Sequence, residues 1–485
     1  MKIRFISYLM WLRKVTINCL NLQSGNTKIL ESELTYHNTF SYFQTVKNLI
    51  KLGFPVLVTQ VGIIAVSFAD TMMVGAYGLN ELAASAFVNS LFLIAIVMIL
   101  GFSGGIVPII GALYGKGEHQ EAGIMLRASI IVNGVLSLGF FIVMLSLFFF
   151  LDYFGQDPDI LPLARSYFLL ILFTIIPMAI FNCFQQTCNG INDTATPMWI
   201  ILGADVLNII GNYALIFGKW GFPELGLLGA GWSTLAARIA GVLAIICVYC
   251  LSPKYRPYWR SMLSNRSGSL RKRQIWLTSY PLMVQSGVEC GLWTFGAVVS
   301  GWFGKVQLAA YQVMNTIGQL GFMIYLSFGW ATSIKVANFT GVGDFPAVKH
   351  VTRVGLHIIL VLATFASLVF LFFTDKLVGY FTPDAEVASY ALLLIAPLVL
   401  YQYCDGTQLT YVNALRGTSI VQPLLWISIV SYILIGIPAL FLLAVTFRLE
   451  TVGVYYSFSA ALLSAAILLV INFRLALKKL RNQKK

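Results

Sequence analysis

Residues 55–84 read PVLVTQVGIIAVSFADTMMVGAYGLNELAA, and residues 281–310 read PLMVQSGVECGLWTFGAVVSGWFGKVQLAA. The two stretches align in a single register, an offset of 226 residues (281 minus 55). Without a gap the register pairs Leu82-Ala83-Ala84 with Leu308-Ala309-Ala310, Asn89 with Asn315, Gly115 with Gly341 and Arg127 with Arg353, and it resumes at Pro197 with Pro423. Chance does not hold one register over that length, so the chain contains an internal duplication.

Composition places this duplication in a membrane. Of the 485 residues, 58% are apolar and 11% are charged, and a soluble core cannot bury that much apolar surface. Apolar stretches close to the length that crosses a bilayer, about 20 residues, recur at 87–100, 129–151, 166–184, 358–373 and 455–471. Lipid must therefore be the solvent for most of the chain.

Glycines, prolines and charged clusters divide the chain into two sets of six helices. They are predicted at 47–73, 82–110, 123–151, 161–187, 196–218 and 227–251, and at 275–300, 306–336, 350–373, 386–413, 421–446 and 453–477. A shift of six helices preserves orientation, so the halves are parallel repeats related by an axis along the membrane normal. We predict an all-α membrane protein with twelve transmembrane helices, in which an N-lobe (47–251) and a C-lobe (275–477) surround a central cavity.

The net charge of +13 comes largely from basic segments next to the predicted helices. Segment 252–274 carries seven Lys and Arg residues and no acid, and residues 478–485 are also basic. Basic loops stay in the cytoplasm, so we expect a cytoplasmic linker, a cytoplasmic tail, two cytoplasmic termini and a multi-pass location in the inner (plasma) membrane. No nucleic-acid surface is expected, because no soluble domain displays these charges.

Two features carry no functional prediction. Residues 1–46 precede the first predicted span, and no cleavage site promptly follows their short apolar run, so they read as a cytoplasmic or interfacial extension or as an upstream start. Cys247 and Cys250 form a lone CxxC inside a predicted span. Without a second pair or clustered histidines, they are expected to be small hydrophobic residues rather than a metal or redox site, and no cofactor is expected.

Four carboxylates fall inside predicted spans, where a charge costs about 3 kcal/mol, so each is a functional candidate. Asp70 lies near the end of the first helix, fifteen residues after Pro55. A partly buried carboxyl there can load and release a proton; the alternative is an acid that caps the helix end. Pro55 removes a backbone hydrogen bond and predicts a bend in the helix, which is a candidate gating hinge.

A polar stripe follows on the fifth predicted helix. Asp205, Asn208 and Asn212 are three and four residues apart and so share one helical face. Such a stripe needs a polar partner inside lipid, and the predicted partner is Asp70, to which the amides would donate. The alternative is packing between helices through hydrogen bonds.

The second repeat carries the other two carboxylates. Glu289 lies in the middle of its span, and Asp405 follows Tyr401 by one turn on the same face. Two carboxylates can share one desolvated Na⁺, with hydroxyl and carbonyl oxygens completing the shell, or can hold one proton between them. The alternative is that each is a hydrogen-bonded polar residue of the core.

These motifs resemble the multidrug and toxic compound extrusion (MATE) family, most closely its bacterial NorM-like branch, from about Leu49 to Asn472. The resemblance rests on strings that occur in the family's order: PVLVTQ…FADTMMVGAYGLNELAA, ALYGKGE, NGINDTATPMWIILGADVLNIIGNYALIFG, LGLLGAGWSTLAARI, LAAYQVMNTIG and YQYCDGTQLTYVNALRG. The family's pattern differs at Ala112 and Asn338, where Gln is usual, and Asp205 lies outside it. These departures weaken any claim to the family's usual drug spectrum.

The resemblance implies an exporter of mostly cationic, amphiphilic organic compounds, which it exchanges for Na⁺ or H⁺ as two lobes alternate access. It implies an N-lobe acid with two amide partners and a bend (Asp70, Asn208, Asn212, Pro55), and a C-lobe cation site (Glu289, Tyr401, Asp405). Membrane lipids are the other expected partners, and we expect a monomer.

Two other functions compete with this reading. A flippase for a lipid-linked precursor belongs to the same superfamily, but such flippases usually carry two additional helices and a basic cavity. Here the intramembrane charges are mainly acidic, which suits a cationic cargo. A membrane-bound enzyme would need a catalytic constellation near one membrane face, and no HExxH or GxxxxGK string occurs, so no enzymatic activity is expected.

Overall fold

The computed structural model describes residues 42–264, 268–381 and 384–483. The predicted extension 1–46 therefore lies almost wholly outside the described residues. Contacts divide the chain into two units, Met1–Lys47 and Asn48–Lys485. The second unit holds eleven complete spans and most of the first.

Two sets of six apolar helices follow one another along the chain. The first set is α1 (Tyr42–Tyr77), α2 (Leu79–Gly115), α3 (His119–Phe148), α4 (Leu161–Gly190), α5 (Ala195–Ile216) and α6 (Leu227–Leu251). The second is α7 (Ser269–Phe303), α8 (Lys305–Val342), α9 (Phe345–Phe381), α10 (Ala385–Leu393 with Ile395–Gly417), α11 (Gln422–Thr446) and α12 (Glu450–Gln483). Among the described residues, eleven helices are long and apolar enough to cross a membrane, and the bent pair of α10 makes twelve. The chain is an all-α membrane protein, as predicted.

Several helices extend beyond their predicted ends. Helix α1 begins at Tyr42 rather than 47, α7 at Ser269 rather than 275, and α12 ends at Gln483 rather than 477. The predicted ends fell where polar residues begin, but Lys, Arg and Gln are good helix formers, so a helix continues past the apolar core. The predicted linker 252–274 also contains a short helix, Arg256–Leu263, which we call the linker helix.

Local breaks in the spans occur at defined residues. Helix α2 is interrupted after Ser103 by two glycines, and α10 bends by 49° between its two parts. Helix α11 contains the π-helical segments Ile429–Gly436 and Phe441–Thr446. Helix α1, by contrast, is one unbroken α-helix through Pro55, so the predicted hinge at Pro55 produces no break in this conformation and stays a prediction.

The two sets pack in the same way. In the first, α4 packs against α2, α3 and α6, and α5 packs against α6. In the second, α10 packs against α8, α9 and α12, and α11 packs against α12. Each contact has its counterpart six helices later, so the tertiary structure repeats the duplication that the sequence predicts.

The lobes touch where α2 crosses the end of α8. A Cβ atom added at Gly115 would lie 2.2 Å from the carbonyl oxygen of Asn338, and one added at Gly341 would lie 2.1 Å from that of Ala112. Only glycine allows two backbones to come this close. We call this contact, formed by Gly111, Gly115, Asn338 and Gly341, the interlobe contact.

Asn338 adds hydrogen bonds to the interlobe contact. Its Nδ2 donates to the carbonyl oxygens of Gly111 (3.4 Å) and Gly190 (3.3 Å), and its Oδ1 accepts from Nδ2 of Asn192 at 2.5 Å. Among the described residues, the hydrogen bonds and ring contacts that join the two lobes lie towards this end of the bundle. The linker helix lies at the same end, where the Tyr258 hydroxyl is 2.8 Å from Nδ1 of His119. The packing of α2 on α7 extends to mid-span, where a Cβ added at Gly287 would lie 3.1 Å from Met98 Cγ.

Candidate functional site

The N-lobe site is built around the carboxylate of Asp70. Helices α1 and α5 place it against Asn212, whose Nδ2 donates to Asp70 Oδ1. Asn208, one turn earlier on α5, places its amide nitrogen 3.0 Å from the same oxygen when that amide accepts from Thr234 through its own oxygen. Both asparagines are buried. The structure thus brings Asp70, Asn208 and Asn212 together, and it satisfies this carboxylate with neutral donors.

A partly buried guanidinium also faces this site. Arg238 on α6 donates from Nη1 to the Thr174 hydroxyl at 2.6 Å and interacts electrostatically with both Asp70 and Tyr167. The charge of Asp70 is therefore compensated by amides and by a cation. Sequence reasoning missed Arg238, although the rule that flagged the intramembrane acids applies equally to an arginine inside a span.

Asp205 does not join this network. It shares the α5 face with the asparagines, but it makes no hydrogen bond or ion pair among the described residues, and its Oδ2 is buried. That oxygen lies 3.1 Å from where a Cβ at Gly62 of α1 would be. The predicted stripe therefore divides into two parts: the amides contact Asp70, and Asp205 packs over the glycine.

The C-lobe site is built around the carboxylate of Asp405. This side chain is fully buried, and neither of its oxygens has a hydrogen-bond partner among the described residues. Glu289 on α7 interacts electrostatically with Asp405 and with the Tyr432 hydroxyl. Tyr401 lies within electrostatic range of both acids, and its ring packs edge-on against Trp293 at 5.3 Å. The structure therefore brings Glu289, Tyr401 and Asp405 together.

Other buried polar atoms near Asp405 also have no hydrogen-bond partner. Both amide atoms of Gln402 and the hydroxyl of Tyr325 are buried without a hydrogen bond. Gln402 Oε1 and the Tyr325 hydroxyl converge beside Gly321, at 2.7 and 3.1 Å from the position of an added Cβ. Buried polar atoms are normally hydrogen-bonded, so this set has the composition of an oxygen-lined cation site. Within the described ranges no group of three or more His, Cys, Asp or Glu side chains could hold a metal, so amide and phenol oxygens would have to complete the shell.

Tyr432 and Arg416 are the functional candidates that sequence reasoning missed in the C-lobe. Tyr432 lies in the first π-helical segment of α11, accepts from Gln408 at 3.0 Å and interacts electrostatically with Glu289. Such segments often occur at functional sites, but hydropathy does not reveal them. Arg416 is buried 4.7 Å from the Trp330 ring centroid and interacts electrostatically with Glu289. The sequence could have indicated Arg416 as a candidate, because a charged residue inside a predicted span is unusual.

The fold and the buried charges define a membrane transporter built from two homologous lobes. The MatE family model matches residues 55–214 and, a second time, residues 281–442. Together the two matches cover more than half of the chain, and the chain belongs to the MatE family. The second match begins 226 residues after the first, which is the offset of the internal duplication. The family is one of transporters and not of enzymes.

Relatives and solved structures agree with this assignment. The chain is 27% identical over 442 residues to the probable multidrug resistance protein NorM of Photorhabdus laumondii, covering 89% of this chain and 96% of the relative. It is 28% identical to that of Oceanobacillus iheyensis, with 90% and 98% covered. The eukaryotic MATE transporter AtDTX14 superimposes with a TM-score of 0.82 at 18% identity, with 91% and 99% covered. An outward-facing multidrug resistance MATE transporter superimposes with a TM-score of 0.81 at 17% identity, with 90% and 97% covered.

Proposed function

We propose that this protein is a secondary exporter of organic, mostly cationic amphiphiles, driven by antiport of Na⁺ or H⁺. The observation that carries the proposal is the fully buried carboxylate of Asp405, which has no hydrogen-bond partner beside the second acid Glu289. An intramembrane charge without compensation requires a mobile cation or a proton. The names of the relatives, multidrug resistance proteins, support an organic cargo.

In this proposal the moving units are the N-lobe (47–251) and the C-lobe (275–477), joined by the linker 252–274 and followed by the tail 478–485. The interlobe contact lies at the end that carries the basic linker helix. Basic loops favour the cytoplasm, so the contact would close the cytoplasmic side of the inner membrane and leave the cavity open outward. Both termini would then lie in the cytoplasm. Release of Asn338 from Gly111 and Gly190 would then open the inward side.

The two sites would couple cargo to ion in different ways. A cation or proton that reaches Glu289 and Asp405 would neutralise charge that the protein does not satisfy by itself. At Asp70, protonation would remove the charge that Asn212 and Asn208 contact and would rearrange those bonds, which would favour another packing of α1 against α5. Pro55 would serve as the hinge of that movement.

The test uses the purified full-length protein, which we expect to be a monomer, reconstituted into proteoliposomes. Ethidium is the cargo, and a Na⁺ gradient and a pH gradient are imposed in separate experiments. We expect one gradient to drive ethidium against its own gradient, and the matching ionophore to stop it. Reporter fusions after Ser252 and at Lys485 should both report the cytoplasm. Ethidium movement that ignores both gradients would contradict antiport, and a periplasmic reporter at either site would contradict the topology.

A further inference from the structure

The carboxylate of Asp205 is an intramembrane charge that the coupling sites do not use. It lies near the middle of α5, which runs from Ala195 to Ile216. Along the helix axis Asp205 lies about 4.5 Å from Asn208, three residues later, and about 10 Å from Asn212, seven residues later. In the part of the chain that the structure describes, no hydrogen-bond donor and no basic group contacts its carboxylate.

The packing around Asp205 holds the side chain in place. Gly62 of α1 leaves the space that Asp205 Oδ2 occupies, because an added Cβ there would lie 3.1 Å from this oxygen and 2.9 Å from Leu202 Cδ2. The buried oxygen is thus fixed between two helices, while the side chain as a whole is only partly buried. Ionised side chains within spans face the bundle interior or a water-filled cavity, so we assign the open part of Asp205 to such a space rather than to lipid.

The surroundings of Asp205 decide which cation they fit. A hard ion such as Na⁺ takes about six oxygen ligands, whereas beside Gly62 the neighbour of Asp205 Oδ2 is the apolar Cδ2 of Leu202. An organic cation needs one carboxylate to fix its charge and apolar surface for the rest of the molecule. Asp70 interacts electrostatically with Asp205, and Arg238 offsets the charge of Asp70, so the carboxylate of Asp205 is the remaining negative charge that attracts a cation to this region.

We propose that Asp205 binds the positive charge of the transported organic cation and thereby selects cationic over neutral amphiphiles of the same shape. The proposal rests on the proposed export function and names the substrate contact within it. In this proposal the polar residues of α5 have two roles. Asn208 and Asn212 donate hydrogen bonds to Asp70, and Asp205 binds the cargo.

The test is equilibrium binding, without any ion gradient, to the full-length protein in nanodiscs. The probes are ethidium, a permanent cation, and hydroethidine, its uncharged reduced form of closely similar shape. In Asp205→Asn the dissociation constant of ethidium should rise at least about tenfold, since the attraction between the carboxylate and the positive charge of ethidium is lost. That of hydroethidine should stay within about twofold. Gly62→Ala keeps the charge but crowds the carboxylate, and it should also weaken ethidium selectively.

Asp152→Asn is the matched control, because Asp152 is an exposed acid between two spans, where it forms an ion pair with Arg165. It should change neither dissociation constant. Unchanged hydroethidine binding in Asp205→Asn shows that the variant is folded. Equal weakening of both probes, or no weakening of ethidium, would overturn the proposal. The outcome is separate from that of the efflux test, because binding is measured at equilibrium and requires no coupling.

Discussion

The two lobes repeat one scaffold but satisfy their buried acids differently. In the N-lobe, Asp70 accepts from Asn212 and faces the cation of Arg238. In the C-lobe, Asp405 has no hydrogen-bond partner among the described residues, although it is fully buried. One carboxylate is satisfied by the protein itself, whereas the other is not. This difference supports our proposal of a switch in the N-lobe and an ion-binding site in the C-lobe.

The duplication explains how one scaffold carries both sites. In the register that aligns residues 55–84 with 281–310, Asp70 corresponds to Gly296 and Glu289 corresponds to Ile63. The two lobes share their helix packing, but the acids of the two sites occupy different positions in the repeat. The apolar contacts that position the helices tolerate a change of site chemistry, because a few polar side chains contribute little to the packed area.

The largest effect should come from removing the unsatisfied acid. We expect Asp405→Asn to reduce ion-driven efflux at least about 100-fold, corresponding to roughly 3 kcal/mol, and Glu289→Gln to behave alike. The melting temperature of Asp405→Asn should stay or rise, since a buried charge without a partner destabilises the fold. Efflux is measured in proteoliposomes, and the melting temperature is measured by thermal unfolding in detergent. A variant that still exports at the wild-type rate would remove the distinction between the lobes.

A smaller effect is expected at the satisfied acid. Asp70→Asn should slow efflux about tenfold, because it loses the charge that Asn212 contacts, while ethidium binding survives. Its efflux should also lose the part of the pH dependence that comes from the titration of Asp70. Efflux rates of Asp70→Asn and wild type across a pH series are the measurement, with Asn208→Ala as a milder version. A pH dependence identical to the wild type's would show that Asp70 is only a helix-end acid.

The interlobe contact allows the lobes to be uncoupled without touching either site. Gly115→Ala places a Cβ 2.2 Å from the Asn338 carbonyl, and overpacking costs about 2 kcal/mol, so the ratio of closed to open molecules should fall about 30-fold. Spin labels at the exposed Lys116 and Lys349 should report a longer distance between the lobes. Gly139→Ala is the control, since nothing lies within 4 Å of its added Cβ. Unchanged distances in Gly115→Ala would mean that this end is not a gate.

The smallest effect concerns an N-lobe acid outside the spans. Burial alone would raise the pKa of Asp193, but hydrogen bonds from Lys254, Tyr255 and Thr196 outweigh it and hold the pKa below its ordinary value. A lowered pKa stabilises the fold above the unfolded value of 3.8 and loses that contribution as pH falls through the folded value.

Asp193→Asn should therefore reduce stability by about 1 kcal/mol at pH 7. The difference from wild type should shrink as the pH falls below about 4, and thermal melting from pH 7 to pH 3 measures it. In the duplicated register the C-lobe has Ser419 at this position, so Ser419→Ala should show no such pH dependence. A constant difference across the series would contradict the electrostatic origin.

The site was predictable where one span contained all of the signal. Asp70, Glu289 and Asp405 could be found because an acid in a long apolar run has no other reason to be there. The spacing of Asn208 and Asn212 placed both on one face, and the structure brings them to Asp70. Tyr432 could not be found, because its contact with Glu289 depends on a π-helical segment that hydropathy does not encode.

The sequence by itself determined the spans, their number and their pairing into two repeats, because apolar length, helix-breaking residues and an internal register are local properties of the chain. Only the tertiary structure decided which acids are satisfied. Whether Asp70 has donors, whether Asp405 has none and whether Asp205 packs over Gly62 all depend on how helices far apart in sequence approach one another. Those distances follow from side-chain packing between helices, on which the pattern within one helix carries no information.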